Sequence, residues 1–245
     1  MRLLYHFGRY IQFLGTLFHK PEKFGMYWKE VFRQMNNIGV GSVTIVAIVN
    51  FFMGAVTAVQ FSYQLSDSFV PIYYVGYIVR DMMIIEMAPT FSCIILAGKV
   101  GGNIATELGS MRISEQIDAL EIMGVNTSTY LSLTKILAAI LIVPFLVVVA
   151  AFVGVMGGWI ATVVSGVPME IYEKGLLSWF ESFNVVVMLI KAFVFAFIFS
   201  SISCYQGFYV KGGALEIGDA STRSVVYSSI MIIVADLVIA VILLS

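Results

Sequence analysis

The sequence predicts an all-α polytopic membrane protein of about five transmembrane helices, and three observations carry that prediction. Of 245 residues, 60% are hydrophobic and 12% charged, whereas an average soluble domain carries roughly 25% charged residues. Mean hydropathy is +0.94, so lipid is the solvent for much of the chain. The apolar residues also gather into runs that approach the roughly 20 residues needed to cross a bilayer. A formal net charge of −1 points to neither nucleic acid nor an acidic substrate as a partner.

The first element places Leu3, Phe7, Tyr10, Leu14 and Leu17 opposite Arg2, His6, Arg9, Thr16 and Lys20, the period of an amphipathic helix. Pro21 interrupts it. A second stretch then puts Phe24, Tyr27, Trp28, Val31, Phe32 and Met35 on one face, opposite Lys23, Glu30 and Arg33. Both fit helices lying in the membrane interface with basic residues toward headgroups, so residues 1–37 read as interfacial and 38–245 as the transmembrane domain. His6 and His19 then read as headgroup-level polar residues. The polar residues near the start leave no apolar core for a cleavable signal peptide.

Spans are expected at about Gly39 to Phe61, Met82 to Gly98, Ile136 to Val164, Val185 to Tyr205 and Val225 to Leu244. The second can extend upstream through Tyr73 to Ile78 or downstream past Lys99, and the third can tilt or break near Pro144. Basic residues in short loops bias those loops to the cytoplasm. With the N-terminus inside, cytoplasmic segments hold Arg2, Arg9, Lys20, Lys23, Lys29, Arg33, Lys99, Arg112, Lys135, Lys211 and Arg223, against Arg80 and Lys174 outside. Eleven against two predicts a cytoplasmic N-terminus and an external C-terminus. Cys93 and Cys204 sit in apolar stretches without metal-ligand spacing and read as small buried hydrophobes. Gly98-x-x-x-Gly102 and Gly154-x-x-x-Gly158 permit close helix approach.

Two constellations could carry function. The connection between the second and third spans, a helix at about 103–124, is too polar to span. Ile113, Ile117, Leu120 and Met123 form a stripe, and Glu115, Asp118 and Glu121 line another face. Ser114 is placed to cap the start of the stretch that carries these acids and Gly124 to end it. Such a helix either docks into a partner's groove or seals the bundle, and these residues alone favour neither. The second constellation is Glu86, Lys191 and Asp236 inside spans, each costing about 2.5–3.5 kcal/mol at mid-membrane. At about 1.5 Å per residue they lie about 6, 9 and 12 Å from the outer ends of their spans. Lys191 is therefore expected to pair with one or both acids, either as a structural ion pair or beside an outward-opening cavity. Met188, Phe193, Phe195, Phe197 and Val234 would supply the apolar wall of that cavity.

Ala97-Gly98-Lys99-Val100-Gly101, Glu107-Leu108-Gly109, Met111-Arg112, Glu115-Gln116-Ile117-Asp118-Ala119-Leu120 and Met123-Gly124-Val125 resemble the signature of the MlaE (YrbE) family of ABC-transporter permeases. The resemblance implies a homodimeric inner-membrane subunit with a periplasmic C-terminus. It also implies two cytoplasmic ATPase subunits and a periplasmic lipid-shuttling protein of the MCE type as partners, and phospholipid as cargo. It places Glu115, Gln116, Ile117, Asp118, Ala119 and Leu120 in a coupling helix seated on the ATPase, and it tilts Glu86, Lys191 and Asp236 toward a substrate-binding role. Ile85 stands where an Arg often precedes the equivalent of Glu86. The chain lacks a Walker motif, since Val100 follows Gly98-Lys99 and Cys93 occupies the place of the first glycine. ATP and magnesium are thus expected on the partner, with no cofactor and no enzyme activity in this chain.

The main alternative is a proton-coupled secondary transporter relaying protons through Glu86, Lys191 and Asp236; the lack of an internal repeat argues against it. An intramembrane enzyme would need a paired-Asp, Ser-His or metal-ligand set that the spans do not contain. A structural anchor would explain the connecting helix but not the buried charges.

Overall fold

The computed structural model describes residues 2–17, 24–66 and 69–244, with side chains for 8–17, 27–66 and 69–243. Its helices are α1 (Arg2–Thr16), α2 (Phe24–Ser66), α3 (Tyr74–Ile113), α4 (Gln116–Ile122), α5 (Ser128–Ser165), α6 (Met169–Leu177), α7 (Ser182–Phe208) and α8 (Ala214–Leu244), and no strand occurs among the described residues. Five of them, α2, α3, α5, α7 and α8, are long and apolar enough to cross a membrane. The protein is therefore an all-α polytopic membrane protein. Hydrocarbon offers the backbone no hydrogen-bond partner, so each crossing segment must satisfy its own N–H and C=O groups as a helix.

Several boundaries differ from those the sequence suggests. The expected junction at residue 37 falls inside α2, which has 43 residues and so a length of about 65 Å at 1.5 Å per residue. Asn36 and Asn37 lie there, and each costs a helix at most about 0.7 kcal/mol, too little to stop it. α3 extends in both directions at once, and its last residues, 102–113, were expected to open the connecting helix. α5 passes through Pro144 unbroken. Lys99 and Lys135, counted above as loop charges, lie within α3 and α5. Lys99 Nζ donates to the Gly41 carbonyl, and the buried Lys135 Nζ donates to Glu107 Oε2 at 2.6 Å.

The helices widen to i→i+5 hydrogen bonding over Met83–Phe91, Ala97–Gly101 and Ser128–Leu133. The first of these contains Pro89, whose ring would clash with the carbonyl four residues back in a regular α-helix. A wider turn relieves that clash without ending the helix.

The chain forms two compact units. One comprises Met1–Gly41, Leu96–Ile142 and Val194–Ala235; the other comprises Ser42–Ile95, Val143–Phe193 and Asp236–Ser245. In the first unit, α1 is packed onto α7. Phe13 is fully buried, with ring centroids 6.0, 5.8 and 5.9 Å from those of Tyr205, Phe208 and Tyr209, and Tyr10 Oη lies 2.7 Å from Ser201 Oγ. The readings of the His6 side chain, His19 and Pro21 fall outside the described residues. Cys204 and, in the second unit, Cys93 are buried free thiols.

The second unit has a core of Ala58, Val75, Val79, Met83, Ala161 and Tyr172, and its helices approach through glycine. A Cβ on Gly54 would land on the Gly154 carbonyl, and one on Gly157 would land on the Phe51 carbonyl. Gly154 and Gly158 of the expected motif serve this internal packing, against Met83 and the Tyr172 hydroxyl, whereas Gly98 faces open space. Gly157→Ala must therefore push two backbones apart. We expect it to cost about 1–3 kcal/mol, read as a lowered thermal unfolding temperature in detergent, while Gly98→Ala leaves that temperature unchanged.

Candidate functional site

Lys191 on α7 has no exposed surface. Its Nζ donates to Glu86 Oε2 of α3 at 2.8 Å and lies 2.6 Å from Asp236 Oδ1 of α8. Thr90, four residues after Glu86, donates its hydroxyl to Asp236 Oδ2 at 3.0 Å. All four residues belong to the second unit. The similar depths read from the sequence thus correspond to one ion cluster that joins three helices. Thr90 escaped the sequence reading, although its i+4 spacing from Glu86 places the two on neighbouring parts of one helix surface.

The three charges are not equivalent. Side-chain exposure is 0% for Lys191, 10% for Asp236 and 42% for Glu86. Lys191 and Asp236 form a closed pair with Thr90, and Glu86 holds the ammonium with one oxygen while remaining the open member. One lysine faces two carboxyl groups, so the cluster has spare hydrogen-bonding capacity at its open edge. Among the expected apolar wall, Met188 and Phe195 are buried, while Phe193, Phe197 and Val234 are exposed on the surface of the single chain.

Arg80, taken from the sequence as a loop charge, is a buried clamp. Its guanidinium donates to the carbonyls of Leu176, Ser178 and Trp179 and pairs with Asp81 at 2.9 Å. It thereby fixes the turn after α6, where Trp179 adopts a left-handed φ of 43°. No sequence spacing reveals this, because the acceptors are backbone atoms nearly a hundred residues away.

The connecting helix is shorter than expected and differently organised. α4 covers Gln116–Ile122. Ser114 does not cap it: its hydroxyl turns back to the Ser110 carbonyl at 2.8 Å, and the chain enters α4 through Glu115 at φ 58° with no side-chain cap. Gly124, at φ 81°, ends the segment as expected. Ile117 is fully buried. Two members of the acidic face also have partners within the chain, since Asp118 accepts from Arg112 at 2.6 Å and Glu121 from Thr127 at 2.9 Å. Glu115, Gln116 and Ala119 face outward.

Crossing helices, an internal ion cluster and a short helix held between two spans define a polytopic helical membrane protein as the class. A family model described as Permease MlaE matches residues 31–242, and the chain belongs to the MlaE permease family. It is 37% identical over 212 residues to a probable ABC transporter permease protein of Rickettsia bellii, covering 86% of this chain and 82% of that protein. A probable ABC transporter permease protein of Synechocystis is 30% identical, with 85% and 79% covered. The chloroplastic protein trigalactosyldiacylglycerol 1 of Arabidopsis thaliana is 28% identical, with 88% and 61% covered. The chain is thus a multi-pass permease of the ABC transporter family, whose ATPase is a partner subunit.

Removing the lysine would leave two carboxyl groups facing a site without a counter-ion. We expect Lys191→Met to destabilise the protein by about 3–5 kcal/mol, the cost of breaking a buried pair on one side, with thermal unfolding and folded yield as the readouts. The triple variant Lys191→Met, Glu86→Gln, Asp236→Asn should recover a large part of that loss, because it buries no unpaired charge.

Proposed function

We propose that this permease moves phospholipid across or out of the inner membrane in an ATP-driven complex, and that the lipid headgroup meets the chain at Glu86. The observation that carries this reading is the asymmetry of the cluster. Lys191 and Asp236 are closed, and Glu86 is the accessible charge of the cluster, set in a largely apolar stretch of α3, the combination an amphiphile needs. The name of the plant relative, that of a galactolipid, supports a lipid cargo.

In this reading two copies of the chain form the translocation unit, with the N-terminus cytoplasmic and the C-terminus periplasmic. Two ATPase subunits holding ATP and magnesium receive α4, and an MCE-type periplasmic protein exchanges lipid. Within Glu115 to Leu120, the exposed Glu115, Gln116 and Ala119 meet the ATPase, while Ile117, Asp118 and Leu120 hold the helix to its own chain. Lys191 and Asp236 bind substrate indirectly, by presenting Glu86.

Glu86→Gln keeps a hydrogen-bonding side chain and leaves the Lys191 to Asp236 pair intact. It is expected to fold normally and to lower lipid transport in proteoliposomes by about tenfold, the loss of one charge-assisted hydrogen bond. Normal transport by folded Glu86→Gln would reject the headgroup assignment. Glu115→Lys with Gln116→Lys is expected to reduce ATPase copurification, and native mass spectrometry is expected to find two copies of this chain per pair of ATPase subunits. Cargo movement that follows an imposed pH gradient without ATPase subunits would favour the proton-coupled alternative.

A further inference from the structure

We propose that Arg112 is a positioning residue for energy coupling, acting through Asp118 to fix the attitude of α4 against the end of α3. The inference rests on the reading of α4 as the helix that meets the ATPase. A helix of seven residues is too short to persist by its own hydrogen bonds, and this one lacks a side-chain cap and begins after a strained left-handed glutamate. Its orientation must come from outside the helix.

The structure supplies two latches and a plug. At one end, the Arg112 guanidinium on the last turn of α3 donates to Asp118 at 2.6 Å. At the other, buried Thr127, at the start of α5, donates to Glu121 at 2.9 Å. Ile117 fills the space between as a fully buried side chain. A displacement of α4 is thereby handed to the helix before it and the helix after it. Arg112 and Asp118 have side-chain exposures of 35% and 48%, and exposed pairs of this kind add little to stability. Their short contact therefore matters for direction, and α3 is the helix that carries Glu86.

The test uses the full complex with its ATPase subunits in proteoliposomes, measuring ATP hydrolysis and phospholipid transport together. Arg112→Gln is expected to fold, to retain the ATPase subunits and to leave the KM for ATP unchanged, while lipid moved per ATP hydrolysed falls about threefold to tenfold, the range of a lost coupling contact. Arg112→Lys should keep most of the coupling. The exchange Arg112→Asp with Asp118→Arg should restore it, and decides the matter if the single variant folds poorly. A wild-type ratio of transport to hydrolysis in folded Arg112→Gln overturns the inference alone, as does an exchange variant that folds but stays uncoupled. Full ATPase copurification and full transport in Glu115→Lys with Gln116→Lys would instead remove the reading of α4, and this inference with it.

Discussion

A lysine ammonium with no exposed surface has to be neutralised by groups inside the protein, and that requirement organises the second unit. Glu86 and Asp236 approach the ammonium within hydrogen-bond distance and balance its charge. Those carboxyl groups come from α3 and α8, so three crossing helices are held at one height by one cation. Replacing such a cluster with apolar residues can leave stability unchanged. What the cluster does fix is an arrangement of three helices that leaves one carboxyl group open at its edge.

Close backbone packing meets the same absence of water from the apolar side. Lipid tails are as apolar as Leu or Val, so crossing helices gain little by hiding such side chains from lipid, and contact density has to come from proximity. Gly54, Gly154 and Gly157 bring α2 and α5 together at a distance that any Cβ would prevent. Where Pro89 removes a backbone donor, α3 widens its turn and continues. The widened segment is the one that bears Glu86, so a local departure from ideal helix geometry coincides with the one acid of the cluster left open.

At the connection between α3 and α5 the problem is different, because a two-turn helix has to be held in a defined direction. Asp118 and Glu121 on α4 are held by Arg112 and Thr127. Glu115, Gln116, Ala119, Glu121, Ile122 and Met123 face outward. A short element tied at both ends to long helices takes its direction from them.

Composition alone determined that the chain is helical and crosses a membrane, because hydrocarbon admits few other solutions, and the placement of five apolar runs followed. The same logic exposed Glu86, Lys191 and Asp236, since a charge in a long apolar segment stands out whatever the fold. Gly124 was legible as a stop because only its backbone conformation matters. Tertiary structure decided what depends on partners distant in sequence. Arg80 and Lys135 looked like loop charges until their acceptors, the carbonyls after α6 and the carboxylate of Glu107, came into place. Asp118 and Glu121 lie outward as their spacing suggests, and only the fold showed that Arg112 and Thr127 also hold them. Helix ends also escaped, since α2 runs through Asn36 and Asn37 at small local cost and α3 continues past Gly98 to Ile113. Periodicity reports which side of a helix is apolar, and only the fold reports what that side meets.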